Sequence, residues 1–377
     1  MITASFAAMM MAEQGASVIK VEPLRMADPM RYIGTAKGGI SALFANCNRG
    51  KRSVCIDLRQ PDGQALATRL AEEADVLLHN FRPGVMERLN LGSDRLRQRN
   101  ARLINVAITG FGKEGPLRRA PAYDPIIQAH AGFAASQGIG TPAFIRNLMC
   151  DKITAYTAFQ AVTAALYTRE KTGAGQHIDL SMLDAGLFFL FPDAFMNETL
   201  LDEDVVTRPR LADVAYNLTL TRDGAITLSA ATATQQQGVL RALGLEHLMD
   251  DPRFDSQERL MANLDEYRAI LAEAFAEVTT EEILPRLHEH DVPAAKCLDL
   301  PEVLSQPQLA ANGTVEVTNH PRMGSMRAVR SPAQFAGRRL PLAAPAPAHG
   351  EHTDAVLAEL GLSSEGITAF RERGIIG

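Results

Sequence analysis

Two segments carry residue types suited to acyl chemistry. Asn80, Phe81, Arg82, Pro83 and Gly84 close a β-rich run and lead directly to Arg88 and Leu89. This segment offers two guanidiniums beside a Pro-Gly turn. Pro83 biases Arg82 toward an extended backbone, and guanidiniums bind phosphate oxygens bidentately while staying charged. The competing reading is a helix opened by Pro83 and lined with solvated charges. The second segment is Asp151, at the mouth of the apolar stretch 151–170, which reads as a helix buried on most sides. A carboxylate there can cap a helix. It can also act as a covalent nucleophile, held ionised by the helix dipole. Together the segments point to a site for an anionic, phosphate-bearing acyl carrier and a group that takes its acyl chain.

Further residues are weighed beside them. Gly110, Gly112 and Gly115 match G-x-G-x-x-G after a strand, but Pro116 and Pro121 follow where a dinucleotide site needs a helix to begin. A loop over a cleft, with the capacity to act as a lid, is the preferred reading, and nicotinamide binding the minor one. Lys51 and Arg52 read as a solvated turn, or as an addition to the phosphate patch. Tyr123 reads as a substrate-orienting hydroxyl or a buried tyrosine with one hydrogen bond, with Asp124 beside it and Gln128 one helical turn on. Cys150 reads as packing, since no histidine near in sequence would activate it. His288, His290 and Asp291 read as a helix end rather than a metal site. Arg146 and Asn147, just before Asp151, are candidates to face an acyl group.

These residues need a scaffold. Strand-like runs at Val18–Val21, Ser53–Asp57, Asp75–Leu78, Leu103–Ile108 and His177–Ser181 alternate with helical stretches at Ala4–Gln14 and Gln60–Glu73 and over 151–170. That alternation predicts an α/β fold with a parallel sheet and right-handed crossovers, and places Asn80–Leu89 at the carboxyl end of a strand, where such sheets bind ligands. Leu200–Pro209 reads as a linker. Three regions follow: 1–199, a large domain; 200–314, a smaller α+β domain; and 315–377, a linker and a helical return. The chain has 377 residues, 46% hydrophobic and 22% charged, enough for two domains. A net charge of −6 argues against a general nucleic-acid binder. Four scattered cysteines without a CxxC pair argue against a disulfide framework and for a reducing cytoplasm. We expect no signal segment and no membrane span; the apolar patch Gly186 to Pro192 is too short for one.

The ordered set GASVIKVE (15–22), NRGKRSV (48–54), NFRPG (80–84), TGFG (109–112), AYD (122–124), SMLD (181–184) and DPRF (251–254) resembles the type III CoA-transferases, the CaiB/BaiF family that includes formyl-CoA transferases and 2-methylacyl-CoA racemases. The resemblance spans nearly the whole chain. It implies a doubly wound, Rossmann-like large domain built from both chain ends, a smaller inserted domain, and an interlocked homodimer. It puts the catalytic aspartate on Asp151. The CoA contacts fall on or near Asn80, Phe81, Arg82, Arg88, Leu89 and Tyr123, and the substrate-side residues on Met1, Ile2 and Thr3, with Gln128 added as a further candidate. The implied substrates are an acyl-CoA and a small carboxylic acid, with neither metal nor redox cofactor, and with no nucleic-acid or membrane partner. The racemases' histidine falls on Tyr123, which favours CoA transfer over racemisation; an inactive CoA-binding homologue is the third reading. The family also has a strand ahead of the first helix. This chain opens inside the loop that would follow that strand, so the sheet is expected to lack a central strand.

Overall fold

The protein is described by a computed structural model over residues 2–138 and 140–377; Met1, one of the substrate-side expectations, lies outside the described residues. The chain forms two compact units, one from 1–192 with 308–377 and one from Asp193–Pro307.

The first unit is an α/β assembly. Helix α1 (Ile2–Glu13) leads into strand β1 (Val18–Glu22). Helix α2 (Ala42–Asn48) precedes β2 (Lys51–Cys55), and α3 (Pro61–Glu73) connects β2 to β3 (Val76–His79). Two short helices, α4 (Val85–Arg88) and α5 (Ser93–Arg99), precede β4 (Ile104–Thr109). Then come α6 (Asp124–Ala131), the long α7 (Met149–Thr172), β5 (His177–Ser181) and α8 (Met182–Ala194). An antiparallel ribbon, β6 (Val315–His320) and β7 (Gly324–Val329), and two terminal helices, α9 (Thr353–Glu359) and α10 (Ser364–Glu372), complete it.

Strands β1 to β5 pair in parallel, but in two separate sheets. β1 pairs β2 from Val18 opposite Lys51 to Glu22 opposite Cys55. β3, β4 and β5 pair from Val76 opposite Ile104 and from Asn105 opposite His177. A single doubly wound sheet is therefore not formed: β1 and β3 are not hydrogen-bonded to each other, and a cavity of about 1010 Å³ is lined by both. The second strand also sits two residues earlier than the Ser53–Asp57 reading. Lys51 and Arg52 are thus in the strand and not in a turn before it.

Burial explains α7. Ala155, Ala158, Val162 and Ala165 recur at three- and four-residue steps and are at most 1% exposed, against Ile104, Val106 and Ile108 of β4. Small side chains on this stripe let helix and sheet approach closely. Gly173 ends the helix in the left-handed region, at φ 75°, where a Cβ would be penalised. A second core joins Val54 and Ile56 to Leu66, Val356, Leu357 and Ile376, so the chain's end packs on its first half.

A buried ion pair braces β1. Arg31 donates to Glu22 at 2.6 Å with both side chains at most 2% exposed, and Ser53 donates to the same carboxylate at 2.6 Å. Burial pushes the Glu22 carboxyl up, but the bonds from Arg31 and Ser53 outweigh it and hold it below its ordinary value.

The second unit holds a three-stranded antiparallel sheet, Thr219–Thr221, Gly224–Leu228 and Ala294–Lys296. Helices Ala233–Leu243, Leu264–Ala276 and Thr280–Glu289 cover a core of Ile226, Val239, Phe275, Ile283 and Leu287. Thr232 with Gln235, and Thr279 with Glu282, form reciprocal capping boxes that fix two of the helix starts.

Candidate active site

Asp151 is the third residue of α7 rather than its cap; Leu148 occupies the cap position. Three contacts define its place. Thr3, in the first turn of α1, donates its hydroxyl to Asp151 Oδ1 at 2.5 Å. The backbone N–H of Asp151 donates to Asp124 Oδ1 at 2.9 Å. Cys150, next to it, is fully buried, so the chain is anchored on that side. The backbone of Thr3 bonds the same carboxylate, so the first turn of α1 holds it through both hydroxyl and main chain.

The segment before α7 is held from α6. Gln128, 2% exposed, donates to Asp124 Oδ2 at 2.6 Å and to the carbonyls of Ile145 and Asn147 at 3.1 Å, and accepts from Ile145 N–H. Its amide is thereby spent on protein groups. The expectation that Gln128 meets substrate gives way to a role in bracing the approach to Asp151, because no free polar atom of the amide is left exposed. Asp124, 3% exposed, is the contributor that sequence reasoning passed over. The available signal was the pair Asp124 and Gln128, four residues apart within an apolar stretch.

The electrostatics differ from the dipole expectation. Burial pushes the Asp151 carboxyl above its ordinary value; Thr3 opposes that shift and the nearby Asp124 charge adds to it. The Cys150 thiol is pushed up to about 12 by burial, with Asp124 and Asp151 adding to the effect. A thiol so protonated is a poor nucleophile.

The Asn80–Leu89 segment lies at the carboxyl end of β3, in the position its sequence predicts. Asn80, Arg82 and Arg88 are exposed, Phe81 is 43% exposed, and Leu89 is half-buried. Gly84 adopts φ 81° at the start of α4, a conformation suited to glycine. Neither the Arg82 nor the Arg88 guanidinium has a hydrogen-bond or ion-pair partner among the described residues. Two unpaired guanidiniums beside an exposed aromatic ring suit a nucleotide phosphate and base.

Other expectations change. Lys51 is buried and donates to Ser5 O, Cys47 O and Asn48 Oδ1 at 2.6, 3.0 and 2.8 Å. It is neither a solvated turn nor part of a phosphate patch, because its ammonium is consumed in tying α1 to α2. Burial lowers its pKa well below the ordinary lysine value. Arg52 pairs with Glu359 at 2.7 Å. Tyr123 is 65% exposed, not buried, at the start of α6. Arg146 is exposed, and Asn147 accepts from Lys152. The Gly110–Gly115 loop is not followed by a helix until Asp124, so the nicotinamide reading loses the helix N-terminus it requires. Lys113 ties this loop to β5 through Asp179 at 2.7 Å.

Comparison with known proteins gives one answer. Residues 1–353 match the family model described as CoA-transferase family III. The chain is 31% identical to an acyl-CoA transferase of Fusarium pseudograminearum over 98% of its own length and 84% of that protein. It is 33% identical to an acetyl-CoA:oxalate CoA-transferase of Acetobacter aceti over 81% of its length and 80% of that protein. A crystal structure of a CaiB/BaiF family protein from Brucella suis superposes with a TM-score of 0.84 at 29% identity, covering 95% of this chain and 96% of that one.

Proposed function

The chain belongs to CoA-transferase family III, and on that premise we propose that it moves CoA from an acyl-CoA thioester to a carboxylic acid through a covalent intermediate on Asp151. The observation that carries this reading is the geometry of Asp151. The carboxylate is held by the hydroxyl and the backbone of Thr3, and the Asp151 main chain is fixed by Asp124.

The steps balance without an external reagent. Asp151 Oδ2 attacks the thioester carbonyl, the C–S bond breaks, and a mixed anhydride and CoA thiolate result. The thiolate attacks the aspartyl carbonyl, giving an aspartyl thioester and the free donor carboxylate. An acceptor carboxylate attacks that thioester, regenerating an anhydride and the thiolate. The thiolate then takes the acceptor's acyl group and restores Asp151. Splitting the exchange into such steps is the use of covalent catalysis, and both intermediates require water to be kept out.

Asn80, Phe81, Arg82, Arg88, Leu89 and Tyr123 hold the CoA in this reading, with the two guanidiniums on its phosphates. Ile2 and Thr3 face the acyl side. Asp151's partners among the described residues are the hydroxyl and backbone of Thr3 and the carboxylate of Asp124, with no imidazole, which supports transfer over α-proton abstraction. The Acetobacter relative's name, with oxalate as its acid, supports a carboxylate acceptor. We further propose a homodimer, supported by the family resemblance and by the exposed apolar side chains Leu187, Phe188 and Phe189 of α8, the second of them 83% exposed. Four free thiols support a reducing, cytoplasmic setting; among the described residues no helix is long and apolar enough to cross a membrane.

Asp151→Asn tests the reading. Transfer of CoA from acetyl-CoA to a panel of mono- and dicarboxylates should vanish, while CoA binding, followed calorimetrically, persists. Transfer at the wild-type rate in that variant rejects the proposal.

A further inference from the structure

A separate cavity of the first unit, of about 520 Å³, shares no lining residue with Thr3, Asp124, Asp151 or the Asn80–Leu89 segment. One face of the β6–β7 ribbon forms part of its wall. Glu316 stands opposite Ala328 and Thr318 opposite Met326, and strand alternation turns all four to the same side. The irregular segment 341–346, made of proline, leucine and alanine, and Ala45 of α2 supply more of an apolar lining. His320 ties the ribbon to that segment. Its ring bonds the Ala346 carbonyl through Nε2 at 2.9 Å and accepts the Arg322 and Met323 N–H groups on Nδ1 at 3.1 and 3.3 Å. Small-molecule sites are cavities of ~300–1,000 Å³ with mostly apolar walls and a few convergent polar groups.

The polar groups here are guanidiniums. Arg49, Arg330 and Arg339 all line the cavity. Two of them are partly spent. Arg49 gives Nε to Glu13 at 2.5 Å and Nη2 to the Val329 carbonyl at 2.9 Å. Arg330 gives Nε to Glu316 Oε2 at 2.7 Å, and Nη2 to the same oxygen. Arg339 differs: its Nη1 is buried with no hydrogen-bond partner among the described residues. Buried donors in native proteins are met by an acceptor, and a guanidinium keeps its charge. Three arginines set against Glu13 and Glu316 leave one positive charge over. The cavity therefore calls for a single negative charge with acceptor oxygens, beside an apolar wall. A carboxylate supplies both oxygens in the plane that a guanidinium matches. Inorganic phosphate would set a second negative charge near Glu316 and leave the apolar wall uncovered.

We propose that this cavity binds a small aliphatic monocarboxylate, its carboxylate on Arg339 and its chain along Met326, Ala328 and the segment 341–346. Arg49 also grips Glu13, the last residue of α1, and the first turn of α1 carries Thr3 onto Asp151. An acid seated here bears on the helix that positions the nucleophile. That consequence for turnover rests on the function proposed above; the binding itself does not.

The test is calorimetry on the full chain without acyl-CoA, with hexanoate, hexanol and inorganic phosphate as probes. Hexanoate should bind, and the other two about tenfold or more weakly, because hexanol lacks the charge and phosphate the chain. Arg339→Gln should weaken hexanoate about tenfold or more through loss of the charge-assisted pair, while Asp151→Asn should leave it unchanged. Amide hydrogen exchange of the parent locates the ligand without any variant: hexanoate should slow exchange in Val315–His320 and Gly324–Val329. Absent hexanoate binding, unchanged affinity in Arg339→Gln, slowing confined to other segments, or phosphate bound as tightly as hexanoate overturns the proposal. None of these readouts involves a covalent adduct, so the site stands or falls independently of the Asp151 chemistry.

Discussion

The hydroxyl of Thr3 donates to Oδ1 of Asp151 at 2.5 Å, joining the first turns of two helices across 148 residues of sequence. The bond favours the ionised carboxylate, while burial and then the charge of Asp124 work against it. Thr3→Val keeps the side-chain shape and removes the donor. A hydrogen bond to a charged group is worth about 1.5–3 kcal/mol, so kcat/KM should fall about tenfold or more. The acidic limb of its pH profile should move to higher pH. Asp124→Asn keeps an acceptor for the Asp151 amide but removes a like charge, and the same limb should move to lower pH. Profiles of the two variants measured side by side check the opposed signs.

Asp151 also predicts a pH dependence of stability. Its folded-state pKa is raised above the unfolded value, so the native state binds the proton more tightly. Its contribution is fully present below the unfolded carboxyl pKa and is lost as pH rises through the folded one. Asp151→Asn removes the buried charge. Its thermal midpoint should exceed that of the parent at neutral pH, and the gap should close on acidification. A constant gap across that window would count against the raised pKa.

Arg82 and Arg88 should act on CoA rather than on the acyl group. Replacing either with Gln should raise KM for acyl-CoA about tenfold, by the loss of one charge-assisted bond of about 1.5–3 kcal/mol, with kcat little changed. Added salt should weaken the parent's binding more than the variant's. A fall in kcat at unchanged KM would place these side chains elsewhere in the reaction.

The pair of Arg31 and Glu22 governs the fold. Arg31→Ala leaves an ionised carboxylate in an interior position where both partners are at most 2% exposed. Breaking such a pair from one side costs about 3–5 kcal/mol. A urea midpoint lowered accordingly, with partial recovery in the double variant with Glu22→Gln, is the expected result.

Much of this architecture was legible in the sequence. The run His177–Ser181 is a strand over that very span, and the stretch 151–170 is helical as expected, though buried along one stripe with Tyr156 and Tyr167 exposed rather than on most sides. Asn80 to Leu89 fall at a strand's carboxyl end because strand spacing alone locates them. What stayed hidden depends on contacts between distant segments. Nothing local to Lys51 says that its ammonium would meet carbonyls of Ser5 and Cys47, and a basic dipeptide before a strand looks solvated. Asp124 was overshadowed by Tyr123, although its carboxylate, not the phenol, reaches the Asp151 amide. The helix dipole at Asp151 was readable; the burial that outweighs it was not.

The most direct test is the chemical state of Asp151 during exposure to substrate. The protein would be incubated with a panel of acyl-CoAs, trapped with hydroxylamine or reduced with borohydride, and followed by intact mass and peptide mapping. A hydroxamate or reduced side chain confined to Asp151, absent from Asp151→Asn, is the predicted result. CoA transfer proceeding with Asp151 unmodified under trapping conditions, or with the adduct on another residue, would contradict the covalent aspartyl mechanism.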